Sequence, residues 1–201
     1  MNNSSIKDSI YFGFSEIGSV GRLIINEIMA SPEPIIGLPT NEYIELYNPT
    51  SDTVHLAGWK IQLNDYKISL PNDSLLPNQY AVLCSASAAS TLRTYGKSIG
   101  VTSFPALLNS GMNLRLTDSG GSLISLVNYS DSWYGNDLKK DGGWSLEKID
   151  YQNLMEGKGN WSASVSTNGG TPCAMNSVAA SNPDNTSPRL LWFEVLSDKT
   201  I

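Results

Sequence analysis

The stretch Glu42-Tyr43-Ile44-Glu45-Leu46-Tyr47-Asn48 decides how this chain is read. Its side chains alternate. Ile44, Leu46 and Asn48 share one face, and Tyr43, Glu45 and Tyr47 share the other, which is the period of a half-buried β-strand. A turn cluster follows at once, Asn48-Pro49-Thr50-Ser51-Asp52. Working outward, the same strand-then-turn unit recurs. Arg22 to Met29 precedes it across the Pro-rich loop from Ser31-Pro32-Glu33-Pro34 to Pro39. Val54–Leu56, Trp59–Leu63, Lys67–Leu70, Tyr80–Cys84, Asn113–Thr117, Ser122–Tyr129 and Trp144–Ile149 follow it. Asp118-Ser119-Gly120-Gly121 marks a hairpin turn. Ser87 to Tyr95, with serine near its start, alanines inside and Gly96 as a left-handed stop, reads as one short helix. Short strands at intervals of roughly 8–15 residues predict an all-β sandwich or barrel.

Composition narrows the function classes. Charged residues make up 16 % of the chain, below the roughly 25 % of an average soluble domain. The net charge is −6 and the 13 basic residues are scattered along the sequence, with Lys139-Lys140 the one adjacent pair. Phosphate-tracking surfaces need clustered Lys and Arg, so no nucleic-acid partner is expected. No apolar run reaches the roughly 20 residues of a membrane-spanning helix, so no membrane span is expected. Cys84 and Cys173 form no zinc pattern. A bridge between them would close a loop of about 90 residues and add roughly 4 kcal/mol; the plainer expectation is two unpaired core thiols. Met1-Asn2-Asn3-Ser4-Ser5 has neither the basic nor the apolar region of a signal peptide.

The ordered motifs Ile25-Asn26-Glu27-Ile28-Met29-Ala30, Glu42 to Asn48, and Leu56-Ala57-Gly58-Trp59-Lys60-Ile61 resemble the lamin tail domain family. Gly143-Trp144-Ser145-Leu146-Glu147-Lys148, Asn160-Trp161-Ser162, Gly169-Gly170-Thr171-Pro172 and Asn176-Ser177 look like its closing motifs. The resemblance spans residues 22–178 and implies an immunoglobulin-like β-sandwich with one short helix. Met29, Ser31-Pro32-Glu33-Pro34 and Gly37-Leu38-Pro39 give it the look of the family's bacterial branch, found in large exported proteins. That implies an extracellular, cell-surface or periplasmic module beside other domains of a longer chain. Residues 1–21 are expected as an irregular flank and 179–188 as a linker. Residues 189–201, opening on Arg189-Leu190-Leu191-Trp192-Phe193-Glu194-Val195-Leu196, are expected as the truncated start of a following immunoglobulin-like domain or, alternatively, as an added edge strand.

Several residues are weighed for chemistry. Strand alternation puts Ile24, Asn26 and Ile28 on one face and Glu27 on the other. If the first two strands are neighbours, Glu27 and Glu45 approach on the outer face. There they are candidates for a calcium site with Glu42 or Asp52, or else a solvated or Lys-paired surface. Asn26 and Asn48 are expected to point inward and satisfy backbone groups. His55, the one imidazole, alternates outward, and no Gly-x-Ser-x-Gly elbow exists, so no catalytic residue and no enzyme activity is assigned. Trp59 and Trp144 are expected in the core. Trp133 and Tyr134, in the loop Ser130–Gly143, are the candidates for stacking on a ligand. The expected function is therefore a non-catalytic structural or protein-binding module with an unidentified protein or glycan partner. The alternative is a carbohydrate-binding sandwich attached to a hydrolase.

Overall fold

A computed structural model describes residues 20–154 and 157–185. Twelve strands follow in chain order: β1 (Ile24–Met29), β2 (Tyr43–Tyr47), β3 (Val54–His55), β4 (Lys60–Leu63), β5 (Tyr66–Ser69), β6 (Ser74–Leu75), β7 (Tyr80–Ser85), β8 (Ser98–Val101), β9 (Gly111–Thr117), β10 (Leu123–Ser130), β11 (Leu146–Lys148) and β12 (Trp161–Ala163). Two helices of one turn are α1 (Ala89–Leu92) and α2 (Asp137–Lys140). The larger sheet has the order β12-β11-β1-β2-β7-β8, the smaller β10-β9-β4-β5, and β3 pairs with β6 alone. The all-β immunoglobulin-like sandwich expected from the sequence is what the chain forms.

The main core lies between the two sheets. Ile25, Ile28, Ile44, Leu46 and Leu83 of the larger sheet meet Ile61, Leu63, Leu114, Leu116 and Val127 of the smaller. Trp59 and Trp161 are buried within it, and Trp144 packs on its margin. On the other face of the larger sheet, Met29, Tyr43, Val82 and Cys84 form a second cluster with Leu38 and the α1 residues Ala89 and Leu92. The larger sheet is therefore covered on both sides, which is why β1 and β2 are buried along their whole length.

The strands that alternation identified are present, with ends moved by at most two residues. Three strands were not foreseen. β6 has two residues, β12 has three, and β8 holds a glycine in a parallel pairing with β7. Parallel neighbours need a crossover, and here α1 lies in it. The helix is one turn, shorter than the expected Ser87–Tyr95, with hydrogen-bonded turns continuing to Gly96. Gly96 is not in the left-handed helical region: its φ is 154°, and an added Cβ would sit 2.5 Å from Cys173 Cβ. Close packing, as well as backbone freedom, requires glycine there.

The face assigned to Asn26 needs correction. β1 pairs Ile25 with Leu46 but Glu27 with Glu45, so Asn26 is an extra residue in a bulge. The bulge leaves Ile25 and Ile28 both in the core and turns Asn26 onto the same outer face as Glu27. Simple alternation cannot show this. The flank to residue 19 and the segment 189–201 lie outside the described residues. The expected linker is described to residue 185, and there Ala180 N donates to Ile149 O at 3.0 Å and Asn182 N to Asp150 Oδ2 at 2.8 Å. That part of the linker is fastened to the sandwich.

Asn48 closes the end of β2. Its Nδ2 donates to the carbonyls of Asp52, Leu75 and Leu76 at 2.8, 3.1 and 2.9 Å, and its Oδ1 accepts from Thr50 N and Thr50 Oγ1 at 3.0 and 2.7 Å. The side chain is fully buried. Asn48→Ala leaves several of these groups without partners, and each orphaned group costs about 1–3 kcal/mol. A urea-unfolding midpoint lowered by a stability loss of roughly 3 kcal/mol is the expected result.

Candidate functional site

Three strands place three glutamates in one row. Glu27 on β1 stands opposite Glu45 on β2 and opposite Glu147 on β11. Each is flanked by apolar residues that hold its strand in the core: Ile28, Ile44 and Leu46, and Leu146. The row is not the solvated or Lys-paired surface expected of Glu27 and Glu45, because all three side chains are 0 % exposed.

What covers them is the C-terminal strap, residues 169–182. Thr171 N donates to Glu27 Oε1 at 2.9 Å, beside Tyr43 Oη, which donates to the same oxygen at 2.8 Å. Cys173 N donates to Glu45 Oε2, while Asn26 Nδ2 donates to Glu45 Oε1 at 2.9 Å. Ser177 Oγ and Val178 N donate to Glu147 Oε2 at 2.7 and 3.1 Å. Asn176 crosses the bulge: its Nδ2 donates to Asn26 O and Lys148 O, and its Oδ1 accepts from Asn26 Nδ2 at 2.8 Å. Gly170 lets the strap pass this close, since a Cβ there would lie 2.7 Å from Glu27 Oε1 and 2.9 Å from Tyr43 Oη.

The electrostatics follow from burial and proximity. Burial, and then the neighbouring Glu147, raise Glu27 from 4.5 to about 7. Burial, and then Glu27, hold Glu45 well above the usual carboxylate range. Thr171 Oγ1 lies 3.0 Å from Glu147 Oε1 and 3.4 Å from Glu27 Oε2. A hydroxyl has one proton, and the shorter contact takes it. The longer contact suits a proton on Glu27 itself.

The row does not form the calcium site weighed from the sequence. Glu42 is elsewhere: its Oε2 accepts from Leu107 N at 3.0 Å in an open cleft of 560 Å³ with Ser31 and Asn41. Asp52 belongs to the exposed turn held by Asn48. The Glu27 and Glu45 oxygens accept from protein donors. Among the described residues, no group of three or more His, Cys, Asp or Glu side chains is arranged to hold a metal ion. The row is also unlike an acid–base pair in a cleft. Its pKa shifts are raised as such a pair requires, yet no surface reaches it.

The stacking candidates are corrected too. Ser130 caps a 3-10 turn over Asp131–Tyr134, with Ser132 N donating to its Oγ at 3.3 Å. That turn swings Tyr134 into the core at 5 % exposure. Trp133 is half-buried, 6.1 Å from the Trp161 ring and tilted 38° to it. The two rings form no outward platform. Other rings do meet: Tyr47 stacks on Tyr80 at 4.3 Å, with Tyr151 edge-on at 5.3 Å. His55 is exposed on β3, opposite Ser74. Cys84 and Cys173 are both free thiols. Burial, and then Glu45, push Cys173 up to about 12, so its thiol is unreactive at neutral pH.

Sequence reasoning found Glu27 and Glu45 but not Glu147, Thr171 or Ser177 as their partners. A signal existed. A glutamate with an apolar neighbour recurs in three strands, as Glu27-Ile28, Ile44-Glu45 and Leu146-Glu147, and the closing motifs around Thr171 and Ser177 are rich in small hydrogen-bonding residues.

The family profile of the lamin tail domain matches residues 18–131, more than half of the 201 residues. Comparison with curated proteins found no match.

Unfolded glutamate titrates near 4.5, and folded Glu27 near 7. Its contribution to stability is fully present below pH 4.5 and declines as the pH rises through 7, where the folded chain must also give up the proton. Glu27→Gln removes this dependence. The variant's stability relative to wild type should therefore improve from pH 4.5 to pH 8 by on the order of 3 kcal/mol. Urea unfolding across that range checks it; a constant difference would contradict the assignment.

Proposed function

Because the chain belongs to the lamin tail domain family, we propose that it is a non-catalytic structural or protein-binding module of an exported multidomain protein. The single observation that carries the non-catalytic part is the sealing of the glutamate row. The carboxylates with raised pKa values are 0 % exposed and hydrogen-bonded to the strap that covers them. A general acid must reach its substrate within hydrogen-bond distance. The nucleophiles are equally unsuited: Cys84 is buried with its pKa raised, and Cys173 is further raised.

A structural role is supported by how the ends are held. Gly21 N donates to Ile124 O at 3.2 Å, and Asn182 N donates to Asp150 Oδ2 at 2.8 Å. Neighbouring domains of the same longer chain would be positioned by a body fastened at both ends. Export is supported by the form of Ser31-Pro32-Glu33-Pro34 and Gly37-Leu38-Pro39, which resembles the bacterial branch, and by a surface poor in charge. Both support the reading of a module outside the cytoplasm, extracellular, at the cell surface or in the periplasm. No observation favours a carbohydrate platform at Trp133 and Tyr134.

The test is a panel of chromogenic esters, phosphate esters and glycosides, incubated with wild type and with Glu27→Gln. No turnover above buffer is expected from either. Turnover by wild type that a folded Glu27→Gln variant loses would overturn the proposal.

A further inference from the structure

The outward face of the smaller sheet carries a charge that the whole chain hides. The four strands β4, β5, β9 and β10 contain no aspartate or glutamate. They do contain Lys60, Lys67 and Arg115, all exposed and all at outward positions. The register sets Lys67 directly opposite Gln62, and Gln62 directly opposite Arg115. Adjacent strands are about 4.8 Å apart, so the Lys67 and Arg115 backbones are separated by about 10 Å. Lys60 stands two residues along from Gln62, about 7 Å away on the same face. Among the described residues, ion pairs join Lys97 to Asp73 and Lys140 to Asp137, and none involves these three cations. The nearest acids along the chain, Asp65 and Asp118, sit in turns at opposite ends of the face, and Asp118 accepts from Gly120 N and Ser122 N.

The cations border a shallow concavity of 510 Å³ whose other lining groups include Gln62, Asn113 and Thr117. Amides and a hydroxyl thus stand between unpaired positive charges on a flat, rigid support. We infer that this face is a binding site for a linear acidic polysaccharide, with Lys60, Lys67 and Arg115 meeting its carboxylates or sulfates and Gln62, Asn113 and Thr117 meeting its hydroxyls.

Charge density and surface chemistry choose this occupant. Duplex DNA carries one charge per about 1.7 Å, a density far above that of three cations on one sheet face. A polyuronate or a singly sulfated galactan spreads its charge to one group per sugar or fewer, a spacing that cations about 7–10 Å apart can match. Single strands would require aromatic stacking platforms, and no aromatic ring stands at an outward register position of these four strands; the exposed Tyr66, at the start of β5, pairs with the core residue Leu63. A protein partner would be expected to find an aromatic or apolar anchor at the centre of the patch. The large apolar residues at outward positions are Leu123 and Leu126, both half-buried and both on β10, at the margin of the sheet and away from the centre of the patch.

Titration calorimetry of the 201-residue chain at low salt tests this with polygalacturonate, κ-carrageenan and neutral dextran, and with duplex DNA and polyglutamate as competing polyanions. Polygalacturonate or κ-carrageenan should bind, and which of them binds separates carboxylate from sulfate recognition. Dextran should not bind. The double variant Lys67→Gln, Arg115→Gln should weaken binding by roughly tenfold or more, with added salt acting in the same direction. Lys158→Gln, an exposed charge elsewhere, should leave it unchanged. Both altered side chains are exposed, so the melting temperature should hold. If it does not, Lys67→Gln alone on the edge strand reads the same effect. Absence of binding to both acidic glycans overturns the inference, as does binding that the variants do not weaken. Tighter binding of DNA or polyglutamate than of either glycan overturns it as well.

Discussion

The structure depends on three carboxylates meeting in a place where water does not. Glu27, Glu45 and Glu147 are register partners across β2, β1 and β11, so the pairing that builds the larger sheet forces them together. Alone, that row would be a strong penalty: like charges side by side with no solvent. Two features offset it. Burial keeps protons on Glu27 and Glu45 beyond the usual carboxylate range. The strap then supplies backbone and hydroxyl donors from Thr171, Cys173, Ser177 and Val178. A carboxylate row thus converts an otherwise irregular C-terminal segment into part of the fold. Residues 164–185 contain no strand, and the order of the strap comes from these side-chain acceptors.

The bulge at Asn26 belongs to the same arrangement. An unbulged β1 would place Asn26 and Glu27 on opposite faces. The extra residue turns both outward, which lets Asn26 bridge Glu45 and Asn176 while Ile25 and Ile28 stay in the core. Alternation in the sequence correctly separated Ile44 and Leu46 from Tyr43 and Glu45, since β2 is regular. It failed one strand earlier because the bulged Asn26 and the following Glu27 are both polar, and polarity does not say that Asn26 is the extra residue. β8 was invisible for a different reason: Ser98-Ile99-Gly100-Val101 is too short and too mixed, and its place is fixed by packing under α1. The lamin-tail motifs carried the fold because each marks a strand or the strap; they said nothing of which side chains touch.

Burial also separates what aromatic and thiol residues promise from what they do. Tyr134 and Trp133 occupy a loop in the sequence, and a loop suggests exposure. A serine cap tightens that loop into a 3-10 turn, and the turn closes the end of the core over Trp161. Cys84 and Cys173 both belong to the cluster beneath α1 and the strap, where the absence of water suppresses the thiolate. In each case local sequence gave the residue type, and the packing of a distant segment gave its role.

The two sheets distribute charge in opposite senses. The larger sheet takes acidic groups and hides them, which removes Glu27, Glu45 and Glu147 from the surface potential. The smaller sheet excludes acids from its strands and leaves three cations exposed. A formal net charge of −6 averages over both. It counts Glu27 and Glu45, whose carboxyls burial pushes toward the protonated form, as though they were surface anions, and it cannot register that Lys60, Lys67 and Arg115, the first and last of them 55 positions apart in sequence, share one face through strand pairing. Scattered basic residues in a β protein are therefore weak grounds for denying a basic surface, because the sheet, not the chain, decides which of them are neighbours.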